Sequence, residues 1–499
     1  MKYVIGIDLG TSAVKVLVLD QEGMIRYEAS RSYPLIQEQS GYSEQDPEEW
    51  VKKTILALQD IASQMGHEVQ NIEGISFSGH MHGLVLVDQH YRLLRNCIMW
   101  NDTRTTEQCQ LIYDLVGEEK LLQITKNPAL EGFTLPKLLW VKQNEPDIYE
   151  KASVFMLPKD YLRYRMTGEI YSDYSDAAGT LLLDVAKKKW STLICELVEV
   201  PLTLCPPLID SFACVGTLTK AFAEETGLPQ EMKVFAGGAD NACGAIGAGI
   251  LSEGKTLCSI GTSGVILSYE ENKDLDFGGK VHYFNHGKQD AFYTMGVTLA
   301  AGYSLSWFKD TFATSEDFDS LLADVHEVPI GANGLLFTPY LVGERTPHAD
   351  ATIRASFLGM DASHKRIDFV RAVMEGITFS LNESIDIFRQ SGKEIGSIVS
   401  IGGGAKSDVW LQMQADIFNA KITLLSSEQG PAMGAAILAA YGSKWFSSLQ
   451  ECADRFLSTV KTIEPIEENV TRYQELYQVY KKVYAQTKEV NVELQKYRR

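Results

Sequence analysis

Three short apolar runs open the chain, and short polar turns separate them. The runs cover residues 3–8, 14–19 and 25–28, and Gly10-Thr11-Ser12 forms the first turn. Apolar runs of this length between turn residues are typical of strands joined in an antiparallel meander. The pattern therefore predicts a meander, with Asp8 and the Gly-Thr-Ser turn at the tip of its first hairpin.

The same order of strand, Gly-Thr-Ser turn and strand returns near the middle of the chain. Residues 256–260 and 265–269 are apolar, and Gly261-Thr262-Ser263-Gly264 lies between them. Two such hairpins, each opening about half of the chain, indicate two related domains. The pattern predicts an N-terminal domain over residues 1–251 and a C-terminal domain over residues 252–499, with a cleft that brings both turns toward one ligand.

Amphipathic helices alternate with short strands through the rest of both halves, which predicts an α/β protein. Apolar positions at helical spacing predict helices over residues 48–64, 107–115, 367–388 and 408–418. The last helix carries Tyr473, Tyr477, Tyr480 and Tyr484 on one side. We interpret this stripe as a packing face, since a stripe at helical spacing normally faces a core.

A run of very small residues surrounds one carboxylate in the segment 235–250. Gly237 and Gly238 allow a sharp turn, and Asp240 then lies where a helix of small residues begins. A carboxylate in this setting is a candidate general base, and a helix N-terminus favours its ionised form. The alternative is that Asp240 caps the helix by accepting bonds from its free N–H groups. The two interpretations are compatible, and both stay open at this point.

Composition limits the partners of the chain. The net charge of −19 argues against nucleic acid or an anionic membrane as the main partner, but not against a phosphate ligand held by backbone N–H groups. The eight cysteines include no C-x-x-C pair, which indicates reduced thiols in the cytoplasm. Asp8 interrupts the first apolar run too early for a signal peptide, and no apolar run is long enough to span a bilayer. A homodimer stays open.

Three glycine-bearing turns predict a nucleotide site. They are Gly10-Thr11-Ser12, Gly261-Thr262-Ser263-Gly264 and Gly402-Gly403-Gly404, and each offers backbone N–H groups to phosphate oxygens. Asp8, at the end of a strand, would orient a hydrated Mg²⁺. Lys15 could reach a phosphate, although a solvated lysine on a strand is the competing interpretation.

Two other sequence motifs resemble known binding sites, but we interpret both of them differently. Residues 249–256 match the Walker A string, yet the string follows a predicted helix and enters a strand, the reverse of a true phosphate loop. His80 and His82 could share one face of a strand as metal ligands, but no third ligand stands at a familiar spacing. A hydrogen-bonding role in a polar pocket is the preferred interpretation for His82.

These motifs together resemble the FGGY carbohydrate kinases. The similar segments are Ile7–Ser12, Gly132–Trp140, Gly237–Asn241, Ser259–Gly264 and Gly402–Ser407, in the order of the family. The resemblance implies two ribonuclease H-like domains of the actin, Hsp70 and hexokinase type, with a cleft between them. It also implies phosphoryl transfer from ATP with Mg²⁺, the sugar and the general base on the N-terminal domain, and the nucleotide on the C-terminal domain.

A second set of segments is similar to the branch of the family that phosphorylates a pentulose. These segments are Met81–Gly83, Trp100–Arg104, Asn127–Leu130, Tyr174–Asp176 and Gly343–His348. The resemblance implies site residues as follows: Asp240 as general base, Asp8 as essential aspartate and metal residue, Met81, His82, Trp100, Asp102 and Asn241 at the sugar, Thr11, Ser12, Lys15, Gly261 and Thr262 at the phosphates, and Gly403, Gly404 and Ser407 at the adenosine.

Three positions depart from the family pattern, namely His80, Lys126 and Ala355. His80 neighbours the expected sugar site, so another family member that acts on ribulose, gluconate, glycerol or a rarer sugar stays open. A second alternative is an actin- or Hsp70-like ATPase that uses the cleft to drive conformational change. Such a protein would have no use for a carboxylate beside a sugar pocket.

Overall fold

The protein is described from a computed structural model, which covers residues 1–427 and 429–498. The strands of the first half are Tyr3–Leu9 (β1), Ala13–Asp20 (β2), Ile25–Ser32 (β3), Glu44–Gln45 (β4), Ile72–Gly79 (β5), Val85–Val87 (β6), Cys97–Ile98 (β7), Val154–Met156 (β8), Ser172–Asp173 (β9), Leu183–Asp184 (β10), Lys189–Trp190 (β11), Leu208–Ile209 (β12), Cys214–Thr217 (β13), Lys233–Phe235 (β14) and Gly238–Ala239 (β15). Its helices are Pro47–Met65 (α1), Thr106–Val116 (α2), Glu118–Thr125 (α3), Thr134–Asn144 (α4), Pro146–Lys151 (α5), Pro158–Thr167 (α6), Tyr174–Ala177 (α7), Thr192–Leu197 (α8), Lys220–Thr226 (α9) and Asp240–Gly247 (α10).

The second half continues the alternation of strands and helices. Its strands are Lys255–Ile260 (β16), Gly264–Glu270 (β17), His282–Asn285 (β18), Phe292–Thr298 (β19), Leu336–Thr338 (β20), Ser356–Leu358 (β21), Ser397–Gly402 (β22), Lys421–Leu425 (β23) and Thr459–Ile463 (β24). Its helices are Gly302–Phe312 (α11), Phe318–Leu322 (α12), Arg366–Gln390 (α13), Asp408–Phe418 (α14), Gly430–Gly442 (α15), Leu449–Phe456 (α16) and Glu467–Leu494 (α17).

Each half is built on a mixed sheet, and the two sheets repeat one strand order. The first sheet runs β13-β14-β5-β1-β2-β3, and the second runs β18-β19-β17-β16-β22-β23-β24. In both, the opening hairpin has an antiparallel strand on one side and a parallel strand on the other. The predicted meander and the predicted relation between the halves are confirmed, and the fold is the two-domain α/β fold expected from the sequence.

The opening hairpins place the two Gly-Thr-Ser turns at strand tips. Asp8 lies opposite Lys15 in the first hairpin, and the N–H of Gly10 donates to the carbonyl of Ala13 at 3.1 Å to close the turn. In the second hairpin the N–H of Gly261 donates to the carbonyl of Ser263 at 3.0 Å. Both turns therefore have the position that the sequence predicts.

Two helices of small residues join the halves by direct backbone contact. An added Cβ at Gly434 of α15 would lie 1.8 Å from the Cys243 carbonyl oxygen of α10, and one at Gly247 would lie 2.1 Å from the Gly430 carbonyl oxygen. Helix α15 also packs on β1, where a Cβ at Gly6 would lie 2.2 Å from the Ala432 carbonyl oxygen. Although α15 belongs to the second half of the chain, it lies on the sheet of the first half.

Other expectations from the sequence are also confirmed. Helix α10 ends before residues 249–256 and β16 begins within them, so the Walker A string joins a helix to a strand. The tyrosine stripe of α17 packs inward, with Tyr473, Tyr477 and Tyr480 around Phe379. Among the described residues, no helix combines the length and apolarity needed to cross a bilayer.

We expect Gly434→Ala to destabilise the protein, because its new methyl group meets backbone that cannot move aside. Forcing atoms into a packed interface costs about 1–3 kcal/mol or more, which for a chain of this length lowers the melting temperature by about 1–3 °C or more. The measurement is thermal unfolding followed by circular dichroism. The matched control is Gly244→Ala in α10, where the nearest atom to an added Cβ is 3.8 Å away. This control should leave stability unchanged or raise it slightly, and equal losses in both variants would contradict the packing described.

Candidate active site

Two cavities contain most of the residues that the sequence assigns to the site. The first, here called the acid cavity, measures about 340 Å³ and includes Asp240 in its wall. Its lining comes from both halves: Thr11, Met81, His82, Trp100, Asn101, Asp102, Thr103, Leu130, Glu131, Gly132, Phe133, Asp240, Asn241, Val265, His282, Phe284, Met295, Val297 and Arg345. The fold therefore brings together every residue that the sequence assigns to the sugar, together with the candidate base.

Asp240 is the first residue of α10, and Ala239 is the residue that precedes the helix as its N-cap. The alternative that Asp240 is the N-cap residue is therefore wrong, because Ala239 occupies that position. The carboxylate still uses the helix start, because Asp240 Oδ1 accepts the backbone N–H of Asn241 at 2.7 Å and its side-chain Nδ2 at 3.0 Å. These bonds fix the orientation of the carboxylate.

Burial and a neighbouring charge determine the proton affinity of Asp240. Loss of solvent, and after it the charge of Asp8, raise the pKa of Asp240, the hydrogen bonds from Asn241 lower it, and the resulting pKa is about 7. The helix N-terminus alone had predicted an ionised carboxylate, and burial outweighs that effect. A carboxyl group with a pKa near neutrality can both accept and release a proton, which suits a general base.

Asp8 lies at the end of β1. Its Oδ1 accepts the hydroxyl of Ser78 at 2.9 Å, and burial raises the pKa of Asp8, while this bond and the charge of Lys15 lower it. The Lys15 ammonium donates to Oε1 of Gln429, next to α15 in the second half. Asp8, Ser12 and Lys15 lie outside the linings found for the two cavities in the described part of the chain.

Thr11 links the first turn to the acid cavity. Its carbonyl oxygen accepts Nε2 of Gln45 at 2.7 Å, and its Oγ1 accepts the indole N–H of Trp100 at 3.0 Å. Trp100 is 44% exposed, so its ring forms an edge of the cavity that solvent can reach. The bond from Trp100 couples this edge to the Gly-Thr-Ser turn.

His82 has an unusual backbone and a defined tautomer. Its φ of +70° is uncommon for a residue with a side chain, and such strain is frequent at functional sites. Its Nδ1 lies 2.7 Å from the carbonyl oxygen of Gly179. Because a carbonyl oxygen only accepts, Nδ1 carries the proton and Nε2 is left as an acceptor. Burial lowers the pKa of His82 to about 3, so the ring is neutral.

The two histidines of the His-Met-His string have different surroundings. The His80 ring packs edge-on against Trp50 at 5.4 Å, whereas the His82 ring lies 4.5 Å from Phe133. Strand β5 ends at Gly79, so these residues follow the strand instead of sharing one of its faces. This arrangement does not support the metal interpretation and agrees with a hydrogen-bonding role for His82.

Asp102 is a fixed and fully buried acceptor. Arg104 binds it with two nitrogens, Nε to Oδ1 at 2.9 Å and Nη2 to Oδ2 at 2.7 Å, and the N–H of Ser43 donates to Oδ2 at 2.6 Å. The Arg104 guanidinium lies 3.6 Å from the centre of the Tyr42 ring. This pairing was not foreseen from the sequence, although Arg104 is part of the quoted Trp100–Arg104 segment.

The second cavity, here called the glycine cavity, measures about 530 Å³ and lies wholly in the second half. It contains all five residues that the sequence assigns to the nucleotide on that side: Gly261, Thr262, Gly403, Gly404 and Ser407. A Cβ at Gly404 would lie 2.6 Å from the Ile260 side chain, and Gly402 has a φ of +82°, so this turn requires glycine. Ser407 also caps α14 by accepting the N–H of Trp410 at 3.4 Å.

Sequence reasoning missed several walls of both cavities. In the glycine cavity these are the apolar and aromatic residues Tyr303, Leu305, Phe318, Leu322 and Trp410. In the acid cavity they include Phe133, His282, Phe284 and Arg345. Phe133 and Arg345 lie inside quoted motifs and could have been named, whereas His282 and Phe284 carry no signal beyond their place on β18.

Comparison with known proteins gives concordant matches. The model for the N-terminal domain of the FGGY family of carbohydrate kinases matches residues 3–247, and the model for the C-terminal domain matches residues 256–443. A xylulose kinase from Bacillus subtilis (strain 168) is 61% identical over 499 residues, covering 100% of both chains. A ligand-bound xylulose kinase from Lactobacillus acidophilus has a TM-score of 0.94 at 26% identity, covering 99% of this chain and 100% of that one. A gluconate kinase from the same species has a TM-score of 0.93 at 26% identity, covering 97% and 98%.

The structure has two related α/β lobes, a glycine-bearing cavity in one of them, and a half-buried acid in the wall of a second, small cavity lined by both lobes, and these features define a class. This class is the kinases that phosphorylate small hydroxylated molecules. The chain belongs to the FGGY family of carbohydrate kinases, and it is an ATP-dependent sugar kinase.

We expect Asp240→Asn to be more stable than the wild type at pH 8. The native pKa of Asp240 is raised above its value in the unfolded chain, so ionisation destabilises the native state as the pH rises from about 4 to about 7. The neutral amide avoids this cost, which at about 1.4 kcal/mol per pKa unit is about 2–4 kcal/mol, and for a chain of this length the melting temperature should be higher by about 2–4 °C. Thermal unfolding at pH 8 and pH 5 measures it, and the gain should shrink at pH 5.

The control for this prediction is Asp102→Asn, which removes the buried partner of Arg104. It should lower the melting temperature at both pH values, because it leaves the Arg104 guanidinium without its bidentate acceptor. A melting temperature for Asp240→Asn equal to or below the wild type at pH 8 would contradict the burial and charge environment described for this carboxyl.

Proposed function

We propose that this kinase transfers the γ-phosphoryl group of MgATP to the 5-hydroxyl of D-xylulose, giving D-xylulose 5-phosphate and ADP. The observation that carries the proposal is the position of Asp240 in the wall of the acid cavity, beside the residues expected to hold the sugar. The names of the relatives described above, two of which are xylulose kinases, support this choice of acceptor.

The acid cavity suits a small polyol because its polar groups are fixed before the ligand arrives. His82 offers Nε2 as an acceptor, and Asp102 is held by Arg104. Asn241 has its Nδ2 on the Asp240 carboxylate and 3.6 Å from Met81 Sδ, so these three residues form one cluster. We assign His82, Asp102, Asn241, Met81 and Trp100 to the sugar, with Trp100 at the cavity edge.

Asp240 is assigned as the general base. A sugar hydroxyl is a poor nucleophile at neutral pH, and a carboxylate with a pKa of about 7 can accept its proton as the bond to phosphorus forms. The phosphoryl transition state spreads negative charge over its oxygens, so catalysis depends mainly on positioning and on donors directed at those oxygens.

The two Gly-Thr-Ser turns and the glycine cavity are assigned to ATP. Gly403, Gly404 and Ser407 would line the adenosine end, with the apolar walls of the glycine cavity around the base. Gly261 and Thr262 from one half, and Thr11, Ser12 and Lys15 from the other, would hold the phosphates. Support comes from the N–H and hydroxyl donors of these tips, which suit phosphate oxygens.

The residues around Asp8 fit a magnesium ion. The pKa values of Asp8 and Asp240 are both raised, and that of Asp240 is raised partly by the charge of Asp8, so a cation held at Asp8 would offset this negative charge. Bound Mg²⁺ would supply charge neutralisation to the phosphates and usually keeps several of its waters, so one or two protein carboxylates suffice. We assign Asp8 to hold it, with the Ser78 hydroxyl orienting the carboxylate.

The proposal also includes the cellular location of the reaction and the partners of the protein. ATP is available in the cytoplasm, and the cysteines of the described residues are unpaired, so we place the reaction in the cytoplasm. The partners proposed are the sugar and the nucleotide, without nucleic acid or membrane. A homodimer remains a prediction from the sequence.

The test of the proposed function is a panel of acceptors with MgATP and coupled detection of ADP. The panel contains D-xylulose, L- and D-ribulose, gluconate, glycerol and xylitol. We expect D-xylulose to give a kcat/KM at least about a hundredfold above every other acceptor, since a site built on hydrogen bonds discriminates strongly. Higher efficiency with another acceptor would refute the substrate assignment. ATP turnover that is independent of any sugar, with no sugar phosphate formed, would instead point to an actin- or Hsp70-like ATPase.

We expect Asp240→Asn to bind D-xylulose and to lose phosphoryl transfer. An amide cannot accept the proton, and general-base catalysis contributes about 10²–10⁴-fold, so kcat should fall by at least about a hundredfold. Calorimetry measures the retained sugar binding, and the coupled assay measures kcat. Turnover within a few-fold of the wild type would show that Asp240 is not the base.

A further inference from the structure

Behind the acid cavity lies a buried lysine that is not among the residues assigned to the sugar, the nucleotide or the metal. Lys137 is in the first turn of α4, and its side chain is fully buried. A buried lysine is normally paired with a carboxylate. Here the Nζ atom instead donates to two backbone carbonyl oxygens, that of His82 at 2.9 Å and that of Gly132 at 2.5 Å.

Both acceptors belong to walls of the acid cavity, and they come from separate segments of the chain. His82 follows β5, and Gly132 precedes α4. An added Cβ at Gly132 would lie 2.8 Å from the carbonyl oxygen of Trp100, so the Gly132 segment packs directly on the segment that carries Trp100. One ammonium group therefore connects the walls formed by His82, Gly132 and Trp100.

The bond to His82 acts at a strained point. His82 has a φ of +70°, a conformation that costs energy unless its surroundings hold it. The His82 carbonyl accepts from Lys137 and from Thr134 Oγ1 at 3.1 Å, while the ring is held by Gly179. Without the lysine, one bond to this carbonyl remains, and the backbone can relax toward an ordinary conformation that carries the ring away from the sugar.

We propose that Lys137 is a positioning residue for the acceptor sugar, which acts by holding the His82 backbone and the Gly132 segment in the geometry that binds the sugar. The inference deepens the proposed function and rests on the sugar site assigned there. Lys137 contacts neither sugar nor nucleotide in this account. Its effect should therefore fall on the affinity for the sugar and leave the affinity for ATP unchanged.

Ionisation of the lysine does not remove these bonds. Burial lowers the pKa of Lys137 to about 7, so the charged and neutral forms coexist near neutrality. An ammonium group has three N–H donors and a neutral amine has two, and either form can serve two carbonyl oxygens.

The test is the variant Lys137→Met, which keeps the length and apolar volume of the side chain and removes its donors. We expect the KM for the sugar to rise about tenfold or more, the size of effect that follows the loss of buried hydrogen bonds, while the KM for ATP stays within about twofold. Lys137→Gln, which keeps an NH₂ donor group on a shorter side chain, should give an intermediate KM.

The matched control is Lys142→Met on the same helix. Lys142 also donates to backbone carbonyls, those of Glu199 at 2.9 Å and Val198 at 3.4 Å, but these lie away from the acid cavity. This control should leave the sugar KM unchanged. If the substitutions only reduced the amount of folded enzyme, the apparent kcat would fall in both variants, while the KM for the sugar and the KM for ATP would both stay unchanged.

A double-mutant cycle tests the route through His82. His82→Ala alone should raise the sugar KM strongly, and Lys137→Met should add clearly less in that background than in the wild type, because the ring it positions is already gone and only the Gly132 segment still depends on the lysine. Multiplicative effects, an unchanged sugar KM in Lys137→Met, or equal effects in Lys142→Met would each overturn the proposal. If Lys137→Met and Lys137→Gln fail to fold while the other variants fold, Lys137 serves the stability of the protein, and the positioning proposal is overturned as well.

Wild-type kinetics separate this inference from the proposed function. If the wild type does not phosphorylate D-xylulose, the substrate assignment fails, and the Lys137 comparison is made with the acceptor that the panel identifies. If the wild type phosphorylates D-xylulose and Lys137→Met keeps the wild-type sugar KM, the positioning role alone fails.

Discussion

The active site depends on a contact between two helices that touch backbone to backbone. Helices α10 and α15 come from different halves of the chain, and glycines at 247 and 434 allow carbonyl oxygens to lie where any side chain would clash. Helix α15 also rests on β1, the strand that ends in Asp8. One close-packed unit therefore fixes the start of α10, the tip of the first hairpin and the joint between the lobes.

Burial and charge set the electrostatics of the site. Loss of solvent and the charge of Asp8 raise the pKa of Asp240, whereas the pKa of Asp8 is raised by its own burial. Neutral groups at these two positions would make the folded protein more stable, whereas this chain carries two acids whose charge a proton or a cation would offset. This cost in stability agrees with the roles proposed above, Asp240 as the proton acceptor and Asp8 as the magnesium residue.

Much of this could be predicted from the sequence, for physical reasons. Periodicity predicted the meanders and the long helices, and the glycine-rich turns with hydroxyl residues were correctly placed at the tips of the two opening hairpins. The packing face of α15 was not predictable, since its small residues give no direction and its partner strand lies more than 400 residues away. The pKa of Asp240 was misjudged because burial is a property of the assembled lobes. His282 and Phe284 were missed because apolar and aromatic cavity walls look like ordinary core in one sequence.

The most direct test of the central claim is a crystal structure of the enzyme with D-xylulose and an unreactive ATP analogue. The account predicts a carboxylate oxygen of Asp240 within hydrogen-bond distance, about 2.6–3.2 Å, of the 5-hydroxyl, with the terminal phosphate on the opposite side of that hydroxyl. A sugar bound with its 5-hydroxyl directed away from Asp240, or bound outside the acid cavity, would contradict the account.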